Sequence, residues 1–403
     1  MLSAPARAQT ADNFFDDTIL HEIRLDIHPN DWQVLRNNFR SNAYYDCNFR
    51  WRYQDRDLLV ENVAIRSRGG GTRSAAKPGL RVDFNRNVPG QTFLGLKSVI
   101  LDNMTQDASM LRERLSMLFF QQMGLPASRE AHARLFINNQ YFGLYAIVES
   151  VDKDFLKRNF GEDNGYLFEY SWKYAYYLTY LGQDLSRYAE IFDPTTHEND
   201  SASALYGPIE AMTRIINQTP AADFERAAAE FLDLKLFVAH VAVENFLAES
   251  DGILGYAGIN NFYFYRFQGK SLSQFIAWDK DNTFSAIEHP ILLRIEENEL
   301  MRRAMAVADL RKFYLETLAR CALRAGGPYG SLELEIDRQY NQIHEAALED
   351  PNKQCPDGVG GLKPCSNQEF EDGIEFLRQF ARQRSYFVLR ELGLDLPRSR
   401  RRP

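Results

Sequence analysis

The chain has 403 residues, 45% hydrophobic and 13% aromatic, enough for a large core in one two-lobed domain or two intimate ones. Its formal net charge of −8 argues against nucleic acid as the main partner, and the cluster Arg398-Ser399-Arg400-Arg401-Arg402 reads as a solvated tail. No run of about eighteen apolar residues occurs, so no membrane-spanning helix is expected.

Residues 1–13 read as a leader or a residual export signal. Ala6-Arg7-Ala8 has the A-x-A form of an export cleavage site without the charged and apolar parts of a signal peptide, so it is either the tail of such a signal or a chance pattern. Ile23, Leu25 and Ile27 alternate with polar residues and predict a strand, followed by a helix from about Asn30. Strands are expected from Val63, over Leu80–Phe84 and over Ser98–Leu101. Leu111, Leu115, Leu118 and Phe119 predict a helix over Ser109–Met123 that Gly124 closes. Arg134–Glu149 holds two apolar runs split by Asn138-Asn139-Gln140, a hairpin. After Glu149 come a short helix over Val151–Phe160, a tyrosine-rich stretch, a long helix over Asp223–Glu249, a second hairpin, and a mostly helical run over Asn298–Leu392. The pattern predicts an α+β fold of two lobes, 14–149 rich in sheet and 150–396 mostly helical, with a basic tail at 397–403.

Cys355 and Cys365 bracket a Pro/Gly-rich loop, which suits a short disulfide in an oxidising compartment better than a metal site. Cys321 reads as a buried small hydrophobe, and Cys47 has no evident partner.

The chemistry concentrates between Glu249 and Phe284. There Asp251, Asn260, Asn261, Asp279 and Asp281 flank alternating aromatic runs, and folding them as a hairpin brings Asp251 and Asp279 together. Oxygen donors of this kind suit a hard divalent cation, with one carboxylate left to orient an attacking hydroxyl. Taken singly, each of these residues is also explained as a turn residue or helix stop. Upstream, Arg66-Ser67-Arg68-Gly69-Gly70-Gly71-Thr72-Arg73 between two strands could wrap a polyphosphate, or be a flexible hairpin tip with solubilising arginines. It is not a Walker A loop, since no G-K-[ST] follows. Lys77 is a candidate phosphate ligand with Glu113 as its orienting partner, or else a surface lysine beside a mixed charge run. Glu149 ends an apolar strand where backbone could meet an adenine. The seven histidines form no H-E-x-x-H, and no G-x-S-x-G occurs, so a zinc hydrolase and a serine nucleophile elbow are poorly supported.

Together, several segments resemble the CotH family, the spore-coat protein H kinases and their secreted relatives. They are Phe14–Asp17 with His21–Leu25, Ile65–Gly71, Lys77–Phe84, Ser109–Arg114, Asn138–Glu149 with Asp152–Leu156, Asn260-Asn261-Phe262-Tyr263 and Trp278-Asp279-Lys280-Asp281. The resemblance implies an atypical protein-kinase-like fold that binds ATP and Mg²⁺ (with Mn²⁺ as an alternative) and phosphorylates serine or threonine of exported or cell-surface proteins. It assigns Asp251 to the hydroxyl proton, and Asp279 with Asn260 or Asn261, and Asp281 nearby, to the metal. Lys77, Arg68 and Arg81 fall on the nucleotide side, with Glu113 and Glu149. Two positions depart from the family: Asp83 and Glu169 stand where relatives often carry lysine. The expected location is secreted, periplasmic or cell-surface. Two other readings are a catalytically silent kinase-like scaffold and a glycan hydrolase using Asp251 and Asp279 as its carboxylate pair.

Overall fold

The structure, a computed structural model, describes residues 9–54 and 56–394. The alanines of the A-x-A pattern that precede residue 9 and the basic tail lie outside the described residues. Two compact units are present. The first comprises Met1–Arg114, Ser128–Ser150 and Arg338–Gly373; the second comprises Leu115–Ala127, Val151–Asp337 and Ile374–Pro403. Besides the crossing after Ser150, near the expected boundary at Glu149, the chain makes a short excursion into the second unit over Leu115–Ala127 and a late return to the first over Arg338–Gly373.

In the first unit, α1 (Ala11–Phe14) precedes β1 (His21–Ile27), α2 (Pro29–Asn37), β2 (Tyr45–Tyr53), β3 (Arg56–Arg68), β4 (Gly79–Asp83) and β5 (Ser98–Asp102). After α3 (Arg112–Gln122) come β6 (Glu130–Ile137) and β7 (Gln140–Val148), which complete a closed barrel in the order β1-β2-β3-β4-β5-β7-β6. All neighbours are antiparallel except β1 and β6, which run parallel. Period-2 alternation explains why these segments close. Ile23 and Leu25, Phe49 and Trp51, Val63 and Ile65, Leu80 and Val82, Val99 and Leu101, and Tyr145 and Ile147 turn inward and are buried. Phe14 meets Trp51 and Phe93 edge to face at 5.3 and 4.9 Å. Each such side chain contributes about 1.5–3 kcal/mol by leaving water. The alternate positions Arg66, Arg68, Arg81 and Asp83 are half-buried on the opposite side of the barrel wall.

β2 and the first half of β3 are additions to the expected strands. Their inward residues alternate as required, but Arg50, Arg52, Glu61 and Asn62 dilute the apolar signal, and the register shifts between Cys47 and Phe49.

The second unit opens with α4 (Lys153–Phe160), N-capped by Asp152, whose side chain accepts from Asp154 N and Phe155 N. It continues through β8 (Tyr166–Tyr170), α5 (Ser186–Ala189), β9 (Phe192–Pro194), α6 (Ala202–Gln218), α7 (Phe224–Ala228) and α8 (Leu234–Phe246). The hairpin β10 (Phe262–Arg266) and β11 (Ser273–Ala277) follows and joins an antiparallel sheet in the order β11-β10-β8-β9. Then come α9 (Glu299–Ala306), α10 (Ala308–Ala325) and α11 (Ser331–Glu349). The single helix expected over Asp223–Glu249 is broken: Leu232 bridges to Ser273, and Asp233 caps α8 by accepting from Lys235 N and Leu236 N. A cap inside an apolar run stops and restarts the helix.

Back in the first unit, the late segment carries the short hairpin β12 (Gln354–Pro356) and β13 (Leu362–Pro364), and α12 (Asn367–Glu391) runs on from it along the chain.

Candidate active site

The site is built on α8 and the β10–β11 hairpin of the second unit. Every residue of α8 from Phe237 to Phe246 is buried, so this helix is central rather than amphipathic. Its few polar residues, His240, Glu244 and Asn245, must therefore find partners inside. The helix ends at Phe246, and Ala248 then turns left-handed at φ 54°. Asp251 thus lies beyond the last turn, out of reach of the helix dipole.

Asp251 is half-buried and held from two directions. Its backbone N–H donates to Glu249 Oε1 at 2.7 Å. Its Oδ2 accepts from Asn260 Nδ2 and Asn261 Nδ2, both at 3.1 Å, and Asn261 Nδ2 also reaches its carbonyl oxygen. Asn261, at φ 57°, stands just before β10 and accepts on its own carbonyl oxygen from Trp278 N at 3.3 Å and Lys280 Nζ at 2.8 Å. Trp278 and Lys280 are the two neighbours of Asp279. On the other flank, Ser250 N and Oγ both donate to the carbonyl oxygen of Asn282. The strands thus bring the segments bearing Asp251, Asn260, Asn261 and Asp279 onto adjoining backbone. Asp279 itself is held at φ 52°, a conformation that costs a non-glycine residue about 1–3 kcal/mol and clusters at functional sites. Asp281 is half-buried beside it and accepts from Asn282 Nδ2 at 2.8 Å.

Beneath these residues lies a buried charge network. Lys280 has no exposed surface, and its ammonium donates to Glu244 Oε1 at 2.7 Å. Glu244 also takes His240 Nε2 at 3.1 Å and Ile253 N at 2.8 Å, so one carboxylate ties α8, the loop after Asp251 and the turn at Asp279. A Cβ on Gly252 would stand 2.6 Å from Glu244 Oε2, so only glycine admits this approach. Burial alone would raise the Glu244 carboxyl, but the Lys280 ammonium and His240 hold it at about 2. Burial works against the Lys280 ammonium, and the carboxylates of Glu244 and Glu249 keep it above the usual lysine range. Glu249 goes the other way: burial, only partly offset by Lys280, pushes its carboxyl up to about 7. One of its oxygens, Oε2, is buried with no hydrogen-bond partner. Asp251 is likewise raised by burial, against the bonds from Asn260 and the charge of Lys280.

The residues expected on the nucleotide side fall in the first unit and behave differently. Lys77 is completely buried, and its ammonium donates to Asp350 Oδ2 at 2.7 Å rather than pairing with Glu113. While this pair holds, the Lys77 ammonium is desolvated and neutralised and presents no surface to a phosphate. Glu149 is also buried and accepts from Arg129 N at 3.0 Å and Arg129 Nη2 at 2.7 Å. Arg73 folds the glycine-rich turn about itself, donating to the carbonyl oxygens of Gly69, Arg40 and Ser41 and to Asn42 Oδ1. Arg81 and Arg68 keep partial exposure on one side of the sheet. Arg81 Nη2 donates to Ser98 Oγ at 3.0 Å, and Arg68 lies 3.6 Å from Asp102.

Asp251 is engaged by the NH₂ groups of Asn260 and Asn261, which leaves their amide oxygens as further oxygen donors, and Asp279 and Asp281 follow on the adjoining segment. The Lys280 ammonium is shared between Glu244 Oε1 and the carbonyl oxygen of Asn261, and its charge favours the ionised Asp251 carboxylate. Oxygen donors are the ligand type that a hard divalent cation takes. Glu244, Glu249 and His240 had no role in the sequence reading, and Lys280 appeared there only as part of a motif. The one available signal was a His and a Glu set four apart within the apolar run Leu234–Phe246, where a charge needs a buried partner.

Among the described residues no helix is long and apolar enough to cross a membrane. The CotH kinase protein family matches residues 65–388. Inner spore coat protein H of Bacillus subtilis (strain 168) is 23% identical over 340 residues, covering 82% of this chain and 89% of that protein. With four-fifths of its length matched and the paired asparagines and the Trp278–Asp281 motif in adjoining segments, the chain belongs to the CotH kinase protein family.

Proposed function

We propose that this chain is a two-lobed, kinase-like enzyme that transfers the γ-phosphoryl group of ATP to serine or threonine hydroxyls of exported or cell-surface proteins, with Mg²⁺ as cofactor. The observation that carries this reading is the arrangement of Asp251, Asn260, Asn261 and Asp279 on adjoining segments over a buried charge network. Membership of the CotH kinase protein family supports it. The spore-coat relative favours an acceptor outside the cytoplasm.

Asp251 orients the acceptor hydroxyl. Its Oδ2 is engaged by two amides, so Oδ1 receives the proton as the hydroxyl oxygen bonds to the γ-phosphorus, the bond to the β–γ bridging oxygen breaks and ADP departs. Burial makes this carboxylate a stronger base than an exposed aspartate. A cation held by Asp279 and an asparagine amide oxygen would neutralise charge on the phosphates. Arg68 and Arg81 are the first unit's candidates for phosphate contact.

The test uses γ-labelled ATP with and without chelator, followed by mapping of labelled serine and threonine. Asp251→Asn and Asp279→Ala should each lower transfer by about 10³-fold or more while keeping the wild-type melting transition. Transfer at the wild-type rate by either variant overturns the assignment. Failure of the wild type to bind millimolar ATP and Mg²⁺ in calorimetry would leave the silent scaffold.

A further inference from the structure

We propose that Cys355 and Cys365 form a disulfide that staples the late segment of the first unit in place around Asp350. In the β12–β13 ladder Cys355 lies opposite Lys363, and Cys365 N donates to Lys353 O at 2.9 Å. The two cysteines are therefore diagonal neighbours on one face of the hairpin, on the same pleat. Both are buried, and their sulfurs lie within 4.8 Å of each other and of a Glu369 carboxylate oxygen.

Two thiols and a carboxylate could also suggest a metal, but Glu369 already has other work. Its carboxylate accepts from Ser366 N and Ser366 Oγ at 2.8 Å and pairs with Lys363, while Glu369 N donates back to Ser366 Oγ. This is the reciprocal cap of a helix start, and recruiting Glu369 to a metal would dismantle it. The other cysteines are placed elsewhere: Cys47 in β2 of the barrel wall, Cys321 in α10 of the second unit. Among the described residues this leaves Cys355 and Cys365 as partners for each other.

The staple closes a segment on which the first unit depends. Asp350 neutralises Lys77, Asn352 Nδ2 donates to Phe142 O, Ser74 bonds Gln354, and Lys353 Nζ donates to Ala347 O and Asn367 Oδ1. The strands that present the cysteines are only three residues long, and a hairpin of that size is marginal by itself. In the reaction the S–S bond forms at the expense of a disulfide donor. The two thiols lose two electrons and two protons, and the donor leaves as two thiols.

The test needs no knowledge of function. Full-length protein is equilibrated with oxidised glutathione, denatured in guanidinium, alkylated without reductant and weighed intact. Two of the four cysteines should react, rising to four after reduction, with a Cys355–Cys365 linked peptide on digestion. Reductant should lower the melting temperature by about 5 °C, and C355S/C365S should melt like the reduced wild type and ignore reductant. Four adducts before reduction would overturn the proposal, even if the double variant fails to fold. So would one zinc bound per reduced chain and lost in C365S.

Discussion

Two buried lysines, one in each unit, make nearly identical ion pairs with different consequences. Lys77 meets Asp350 and Lys280 meets Glu244, each at 2.7 Å with no exposure of the lysine. In both, a glycine makes room for the carboxylate: a Cβ on Gly143 or on Gly252 would stand 2.6 Å from it. The difference lies in where the remaining bonds go. Asp350 closes on Leu144 N and Asn352 N, and Lys77 sits over the ring of Tyr145 at 5.2 Å. Every bond ends in local packing. The Lys280 pair instead reaches Ile253, Asn261 and His240, and beside it Glu249 keeps a buried oxygen unmet. A network that closes on itself holds a fold together. One whose bonds run to acid-bearing loops and leave a polar atom unsatisfied shapes a site.

Replacing partners tests this contrast most strongly. Asp350→Ala strands the Lys77 ammonium in the core and should cost about 3–5 kcal/mol in denaturant unfolding. Substituting both partners, K77M/D350L, should recover most of that loss, because an apolar pair carries no unpaired charge. K280M/E244L should recover stability in the same way but leave phosphate transfer depressed at least about tenfold, since the lost contacts to Asn261 and Ile253 position Asp251 and Asp279. A K280M/E244L protein that transfers phosphate at the wild-type rate would reduce the Lys280 pair to packing.

How much of this could be read beforehand differs between the two regions for a physical reason. Strands β1, β4, β5, β6 and β7 and the β10–β11 hairpin carry alternation or turn residues in the local sequence, and they were legible. The grouping of Asp251 with Asn260 and Asn261 was legible too, because they sit beside that hairpin. The Lys77–Asp350 pair was not: its partners are 273 positions apart, and no local pattern says which carboxylate a lysine will meet. The break before α8 was missed because Asp233 interrupts an apolar stretch by capping, not by any loss of hydrophobicity. Glu249 stands two residues from Asp251, yet its unusual state comes from burial, which only the fold supplies.

Glu249 also sets the two regions apart by pH. Burial holds its carboxyl at about 7 against an ordinary 4.5, so the folded protein retains a proton that the unfolded chain releases between those values. The folded state binds more protons there, and its stability falls as pH rises through the interval, by about 3 kcal/mol in all. Stability from this group is fully present below pH 4.5 and gone above pH 7. Glu249→Gln has no proton to lose, so its unfolding free energy should be about 3 kcal/mol less sensitive between pH 5 and pH 8 than that of the wild type. Parallel curves for the two proteins would show that Glu249 is ionised at all these pH values.

The smallest expected effect separates two cations close together in the chain, one just before β4 and one within it. Lys77 is sealed against Asp350, whereas Arg81, four residues on, lies on the other side of the barrel wall with a single bond to Ser98 Oγ. Arg81→Met should change unfolding free energy by less than about 0.5 kcal/mol, as for other partly exposed positions without a network. If Arg81 faces the phosphates, calorimetry should show ATP affinity falling about tenfold, or about 1.4 kcal/mol, with the largest loss at low salt. Unchanged affinity in Arg81→Met, together with lost affinity in a folded K77M/D350L, would reverse the order argued from burial. The phosphate would then have to draw Lys77 out of its pair, and the first unit would have to open to bind nucleotide.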